Sequence, residues 1–440
     1  MRVQALQIAS LLLIATTSHS QVGSKIAVEV DAVYPQSEAL YLDVHQHPEL
    51  SLHEQQTAAK LALGLRELGY DVSTGIGGTG VVGVLRNGSG PVVMLRTELD
   101  ALPVEEKTGL PYASTVRTTD DSGTEVPVSH ACGHDIHMAA WMATARIMAT
   151  ARNRWRGTLM MVGQPAEELI SGARAMLNDG LFTRFPRPDY ALAVHDDARY
   201  PTGIIGYHSG PIFTNGDIVN ITIYGKGGHG ARPETTIDPI VIAARTVLAL
   251  QTIVSREISP FDPAVVTVGS IHGGARPNII PDQVKLELAV RSFTEAVREH
   301  LLSAIDRIAK GEAAAAGAPR EPLVEHLAAA HALVNDPELT RRVSSALLRD
   351  LGSAQVHDLP PEMASEDFAE YQLAGVPTLQ LRIGAVQQDK YDAALKSGSA
   401  LPSLHSPFFA PDRAPTIKAA IAAEVLALRE LMAVPPVSLR

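Results

Sequence analysis

The chain has 440 residues, 45% of them hydrophobic, which suits two ordinary domains and is too long for one compact core. Charged residues make up 19%, the formal net charge is −11 and no long run of Lys or Arg occurs, so nucleic acid is excluded as an expected partner. A single cysteine, Cys132, excludes any intrachain disulfide and leaves the core, or a metal, to hold the fold.

In chain order, residues 1–20 read as an export signal: Arg2, an apolar stretch from Ala9 to Ala15, and small residues at Ser18 and Ser20. An anchor helix is the alternative, but the run is shorter than the ~20 residues a bilayer span needs. The expectation is an exported protein, periplasmic or secreted, with no membrane association once the signal is removed. An amphipathic stretch around Glu54 to Leu68 predicts a helix, followed by buried strands at Val81–Leu85 and Val92–Leu95. A helix from His137 to about Ala151 and strands at Thr158–Val162 and Ala191–His195 continue the rhythm of a parallel α/β sheet.

Near Gly210 the rhythm changes. Strands at Ile218–Tyr224, Val265–Ile271 and Val284–Val290 alternate with helices at Pro239–Glu257 and Thr294–Ala315, in the order of a ferredoxin-like insert. A helix near Pro337–Leu351, apolar stretches at Gln355–Leu359 and Pro377–Ile383, and a last helix from about Pro415 to Met432 resume the first pattern. The predicted division is a signal at 1–20, a discontinuous domain from 21–209 and 321–440, and an insert over 210–320.

Residues with chemical potential cluster at the ends of the predicted strands of the first domain, where ligands bind in open α/β sheets. In His130-Ala131-Cys132-Gly133-His134-Asp135-Ile136-His137, a thiol and an imidazole two residues apart on a glycine turn can meet one metal. A buried cluster without a ligand is the alternative. In Gln164-Pro165-Ala166-Glu167-Glu168, one acid can ligate a metal while its neighbour faces substrate as a general base; paired helix N-terminal acids are the bland reading. His195 ends an apolar strand and His405 lies in a loop, and each alone could be an ordinary hydrogen-bonded histidine. Glu98 and Asp100, two apart at a strand end, face one way and are candidates for orienting ligands, or are turn residues held by backbone N–H groups.

These segments, together with His45-Gln46-His47-Pro48-Glu49-Leu50-Ser51 and Gly225-Lys226-Gly227-Gly228-His229-Gly230-Ala231-Arg232-Pro233, resemble the aminoacylase and hippurate hydrolase group of metallopeptidases. This is the amidohydrolase subfamily of family M20, which also holds indole-acetyl-amino-acid hydrolases. The resemblance runs from about Tyr41 to Pro411.

It implies a mixed-sheet di-metal catalytic domain of α/β class with an inserted ferredoxin-like α+β domain for lid and dimerisation. It implies two divalent ions, zinc or manganese, with cobalt or nickel as alternatives, held by Cys132, His134, Glu168, His195 and His405. Glu167 would be the general base that activates water against the amide bond of an N-acyl amino acid or short peptide. His229 would stabilise the oxyanion across a homodimer, and Asn278 and Arg291 would meet the substrate carboxylate, with Arg232 and Arg276 competing for that role. Glu98 stands where the broader family has a histidine ligand. Met363-Ala364-Ser365-Glu366-Asp367-Phe368 also resembles the family and is expected near the active site, its acids being supports or a helix start.

Two readings of another kind remain. A binding protein that has lost catalysis would have no use for an unligated Glu167, and a structural zinc site would favour four closed Cys/His ligands over this carboxylate-bearing set. An exported dipeptidase or carboxypeptidase of the same family is the nearer alternative.

Overall fold

A computed structural model describes residues 4–434, with side chains from 25 onward except at 328 and 329. The leader expected over 1–20 lies outside the residues whose side chains are described. Two compact units result: Met1–Gly210 with Asn335–Pro360 and Glu370–Arg440, and Pro211–Val334 with Pro361–Ala369.

The first unit is built on an eight-stranded sheet in the order Asp71–Ile76, Gly80–Asn87, Gly157–Gln164, Val92–Glu98, Tyr190–Pro201, Thr378–Val386, Ile205–Tyr207, Val356–Asp358. The four strands from Gly157–Gln164 to Thr378–Val386 are mutually parallel, and the two outer strands Asp71–Ile76 and Gly80–Asn87 join antiparallel. The sheet is therefore mixed, although the apolar runs alone suggest a parallel one. Val92–Glu98 is buried at nearly every position, as expected of a strand covered on both faces. The edge strand Asp71–Ile76, DVSTGI, is mostly exposed and lacks the apolar run that would have marked it in the sequence.

The helix His134–Thr150 is apolar almost all round and almost wholly buried, which is the pattern of a core helix rather than a surface one. It packs against Gln4–Gln46 and Arg413–Leu431, and Trp141 Nε1 donates to Leu95 O of the sheet at 3.0 Å. One polar pair crosses this interior: Thr144 donates to Glu424 Oε2 at 2.5 Å, and Glu424 is fully buried. Burial pushes the Glu424 carboxyl up to about 8, against the smaller opposing effect of the Thr144 hydrogen bond. The folded state thus keeps this proton where the unfolded chain has released it, so stability is fullest below the ordinary glutamate range and falls as pH rises towards 8. Glu424→Gln, which cannot ionise, should remove a slope of about 1.4 kcal/mol per pH unit. Melting curves at equal metal loading should show the variant's advantage in Tm growing by several degrees from pH 5 to pH 8; parallel curves would contradict the assignment.

The second unit carries an antiparallel sheet in the order Ala264–His272, Gln283–Ser292, Asn215–Tyr224, Leu323–Ala330, with the helices Pro239–Thr252 and Glu295–Ala315. In chain order this is βαββαβ, the ferredoxin-like arrangement. Its core is aliphatic, with Val219, Ile221, Ile223, Leu286, Leu288 and Ile305 at the centre. The expected end of the insert at residue 320 is corrected: Leu323–Ala330 pairs with Asn215–Tyr224 and carries the boundary to Val334. Leu323–Ala330, LVEHLAAA, has only one β-branched residue, and pairing with its neighbour decides its conformation. The segment Pro361–Ala369 also belongs to this unit, tied by Thr214 N to Ala364 O at 2.8 Å and Glu362 N to Ile212 O at 2.9 Å.

Candidate metal centre and active site

The strands Val92–Glu98, Gly157–Gln164 and Tyr190–Pro201 run parallel; Asp100, Glu167 and Glu168 lie just beyond the carboxyl ends of the first two, and His195 lies at the middle of the third. The Cys132 loop joins them through Gly133, which has φ +79° and whose added Cβ would sit 2.3 Å from Asp196 Oδ2, so only glycine fits. His134 then opens the buried helix. His405 is tied to the same loop by its N–H, which donates to Ala131 O at 2.8 Å.

The side chains converge. Cys132 Sγ lies 3.2 Å from His405 Nε2 and 3.6 Å from His195 Nε2. Glu168 places Oε2 3.5 Å from His405 Nε2 and Oε1 3.9 Å from His134 Nε2, while Glu167 Oε2 is 3.7 Å from His134 Nε2. Two three-ligand groups share the Cys132 sulfur, one with His134 and His195 and the other with Glu168 and His405. Non-glycine residues with left-handed φ gather here too: Ala166 at 48°, Ile170 at 51° and His405 at 64°. Such strain persists where the surroundings over-determine a functional geometry.

The donor set fits divalent ions. His134 Nδ1 bonds Asp100 O at 2.8 Å and His195 Nδ1 bonds Asp196 O at 2.8 Å, which turns each Nε2 towards the centre in the manner of metal-ligating histidines. His134 Nε2 and Glu168 Oε1 are buried and make no hydrogen bond, as atoms intended for a metal would. Burial pushes the Cys132 thiol well above its ordinary range, and the Glu168, Glu167 and Asp196 carboxylates push it further, so this sulfur becomes a thiolate only beside a cation. Burial opposes the charged form of His134, yet the Asp100 hydrogen bond and the charges of Glu98, Asp100 and Glu168 raise it to about 9. Protons and metal therefore compete for this imidazole.

Glu98 and Asp100 do not act as a same-side pair, because the strand ends at Glu98 and Asp100 lies in the irregular segment that follows. Glu98 is fully buried, ion-paired with Arg96 and bonded to His137 Nδ1 at 2.9 Å. Burial would raise it, but Arg96, His137 and His134 hold it well below the ordinary carboxylate range. Asp100 takes the Ser51 hydroxyl at 2.6 Å and the Glu168 N–H at 3.0 Å on one oxygen. Glu167 and Glu168 lie in a turn rather than at a helix start, since the next helix begins at Gly172.

His137, Asp196 and His45 have supporting contacts that the sequence pattern alone left without a role. His137 Nε2 accepts the Asp196 N–H at 2.9 Å. His45 is buried between Asp135, at 2.6 Å, and Glu106, at 3.2 Å; burial opposes its charge, but these two carboxylates raise it to about 10. His137 and His45 stand inside the motifs already singled out, whereas Asp196 had only its place beside His195 to mark it.

His229, Asn278 and Arg291 belong to the second unit. His229 is exposed on the short strand Gly228–His229, which pairs with Ile279–Ile280, and Gly230 N donates to Asn278 O at 2.8 Å, so His229 and Asn278 are neighbours. His229 Nδ1 accepts the Ala231 N–H at 3.0 Å, which leaves Nε2 to carry the proton. Arg291 pairs with Gly216 at the opposite end of the strand Gln283–Ser292 and bonds Ser365 Oγ. At ~3.4 Å per residue it lies roughly 27 Å along the strand from Gln283.

Residues 94–396 match the family described as Peptidase family M20/M25/M40. The chain belongs to that family. It is 36% identical over 327 residues to the hippurate hydrolase of Campylobacter jejuni, covering 74% of this chain and 82% of that protein. It is 34% identical over 352 residues to thermostable carboxypeptidase 2 of Saccharolobus solfataricus, covering 79% of this chain and 85% of that one. Among solved structures, the Bacillus subtilis YXEP protein, described as a dinuclear metal binding peptidase from the M20 family, superposes with TM-score 0.75 at 30% identity, covering 92% of this chain and 100% of that one. The chain is thus a metal-dependent amide hydrolase.

Cys132 is the candidate ligand common to both groups, so its replacement touches both. Cys132→Ser replaces an ionisable sulfur by an alcohol that stays protonated near neutrality. Metal affinity should fall by at least about tenfold, since even a ligand's supporting contact contributes that much. Elemental analysis after dialysis against graded chelator checks this, and an unchanged metal-to-protein ratio would contradict it.

Proposed function

We propose that this chain is an exported aminoacylase-type amidohydrolase that cuts the amide bond of N-acyl amino acids, with Glu167 as general base. The observation that carries the reading is the division of labour on one turn. Glu168 directs its two oxygens towards His405 and His134 and joins one of the groups that share Cys132, whereas the adjacent Glu167 lies outside both of those groups and meets a third, with His134 and Glu168.

Divalent ions, zinc or manganese with cobalt or nickel as alternatives, supply Lewis acidity that polarises the scissile carbonyl and makes water acidic enough to react. Glu167 takes the proton from the attacking water and passes it to the departing amine. His229 Nε2–H donates to the oxygen that becomes negative, and Asn278 and Arg291 bind the carboxylate of the amino-acid portion.

The homodimer belongs to the same reading. The chain enters the insert at Pro211 and leaves at Val334, close to the Arg291 end of the sheet, whereas His229 and Asn278 occupy the other end. Those two are the groups best placed to serve a second subunit. The apolar character and small residues of 1–20 support export.

The test is a panel of N-acetyl, N-benzoyl and indole-acetyl amino acids and dipeptides, presented to the metal-reconstituted mature protein with released amine as the readout. Preference for N-acyl amino acids supports the proposal. Preference for dipeptides favours the carboxypeptidase reading, which the Saccharolobus relative's name suggests, and metal binding with no turnover of any member would overturn both.

A further inference from the structure

The segment running from His45 to Glu54 supplies no candidate ligand, yet the Glu54 side chain reaches the turn that carries Glu167, and Ser51 reaches it through Asp100. Glu54 is fully buried. Its Oε1 accepts the N–H of Leu52 at 2.8 Å and the N–H of Ala166 at 2.9 Å, and its Oε2 accepts the Thr79 hydroxyl at 2.6 Å. Ala166 immediately precedes Glu167, is itself buried and holds the left-handed φ of 48° that a side chain disfavours. On the other side of Glu167, the Glu168 N–H donates to Asp100 Oδ2 at 3.0 Å, and the same oxygen takes the Ser51 hydroxyl at 2.6 Å. The amides before and after Glu167 are each held by a different buried carboxylate.

The turn has little slack. A Cβ at Gly172 would sit 1.5 Å from Pro165 O, so the chain closes back on itself tightly just beyond the acids. Within that closure the Ala166 carbonyl accepts the N–H groups of Ser171 at 3.3 Å and Gly172 at 3.2 Å, which ties one side of the residue locally. The Ala166 N–H is buried away from water and takes its acceptor from elsewhere in the chain, which ties the other side.

We infer that Glu54 is a positioning residue for the general base: by accepting the Ala166 amide it fixes the turn that aims Glu167, while Asp100, steadied by Ser51, closes the turn from the other side. The inference rests on the reading of Glu167 as the base. Its chemistry is that of an acceptor alone, with no proton taken from substrate. Without it, the buried Ala166 N–H and the Leu52 N–H lose their partner, Ala166 relaxes, and Glu167 is displaced by an amount on the order of 1 Å, which can cost on the order of a hundredfold in rate.

The experiment compares Glu54→Met, Glu54→Gln and Thr79→Val in the full-length mature protein, each loaded with metal. Glu54→Met keeps the length and removes the acceptors; kcat should fall roughly ten- to a hundredfold with KM and metal content unchanged. Hydrogen exchange of the Gln164–Ile170 peptide should quicken. Glu54→Gln should restore both readouts, since its amide oxygen can still accept from Leu52 and Ala166 while its NH₂ group faces Thr79, whose hydroxyl can accept as well as donate. A merely structural role would lower Tm and leave kcat per metal-loaded molecule and peptide exchange unchanged, which would overturn the inference.

Should Glu54→Met fail to fold, Thr79→Val loosens the same carboxylate by a single bond; a drop of a few-fold in kcat supports the inference, and unchanged kcat overturns it. Glu167→Gln in the same assays separates the two claims. If it retains turnover, the base assignment fails; if it loses turnover while Glu54→Met does not, the positioning role fails alone.

Discussion

Glu167→Gln is expected to lower kcat by about 10²–10⁴, the range general-base catalysis supplies, while KM and metal content stay near those of the parent. The substitution keeps the size and the oxygen acceptor and removes only the ability to take a proton. Glu167 lies 3.7 Å from His134 Nε2 and is almost fully buried, so a change of volume there would disturb a ligand; glutamine avoids that. Metal content by elemental analysis and steady-state kinetics on the best substrate of the panel decide the matter. Loss of metal in step with activity would make Glu167 a ligand instead of the base, and retained turnover would remove it from the chemistry.

Why Glu167 and its neighbours could be read from the sequence is a matter of density. One Cys, one His and one Asp packed around Gly133, and two acids after a strand, are residue types that seldom crowd an apolar region without a charge to hold. The parallel strands were legible for a related reason: Val92–Glu98 and Gly157–Gln164 are buried almost throughout and read as near-continuous apolar runs. The edges were not. Asp71–Ile76 is polar and exposed, and Leu323–Ala330 becomes a strand only because Asn215–Tyr224 offers it a ladder.

The supporting contacts were the least legible part of the site. Glu54 reads as an acid near a helix start, and in the structure it stands as the N-terminal boundary of Gln55–Glu67. Its decisive partner, Ala166, is 112 residues away. No local pattern encodes that bond, because hydrophobic periodicity reports which face is buried and says nothing of which buried amide a carboxylate will meet. Likewise Asn278 and Arg291 could both be proposed for one carboxylate from sequence, yet the strand between them places them at opposite ends of a sheet. Within one copy of the insert the two are therefore too far apart to meet the same carboxylate.

The proposed homodimer gives His229 its expected behaviour. His229→Ala should reduce kcat by about 10²–10³, as removal of one oxyanion donor does, with metal binding untouched because His229 belongs to the second unit and the candidate ligands to the first. The ring is already oriented as a donor, since the Ala231 N–H on Nδ1 leaves the proton on Nε2. Mixing tells a trans donor from a cis one. His229→Ala protein and Glu167→Gln protein, each inactive alone, are combined and allowed to exchange subunits. Random exchange makes half of the dimers mixed, and each mixed dimer pairs one site lacking both groups with one site holding both, so about a quarter of wild-type activity should return. Exchange is followed by mass spectrometry of the two forms. If mixed dimers form and activity stays absent, His229 serves its own subunit or none, and the two-subunit site falls with it.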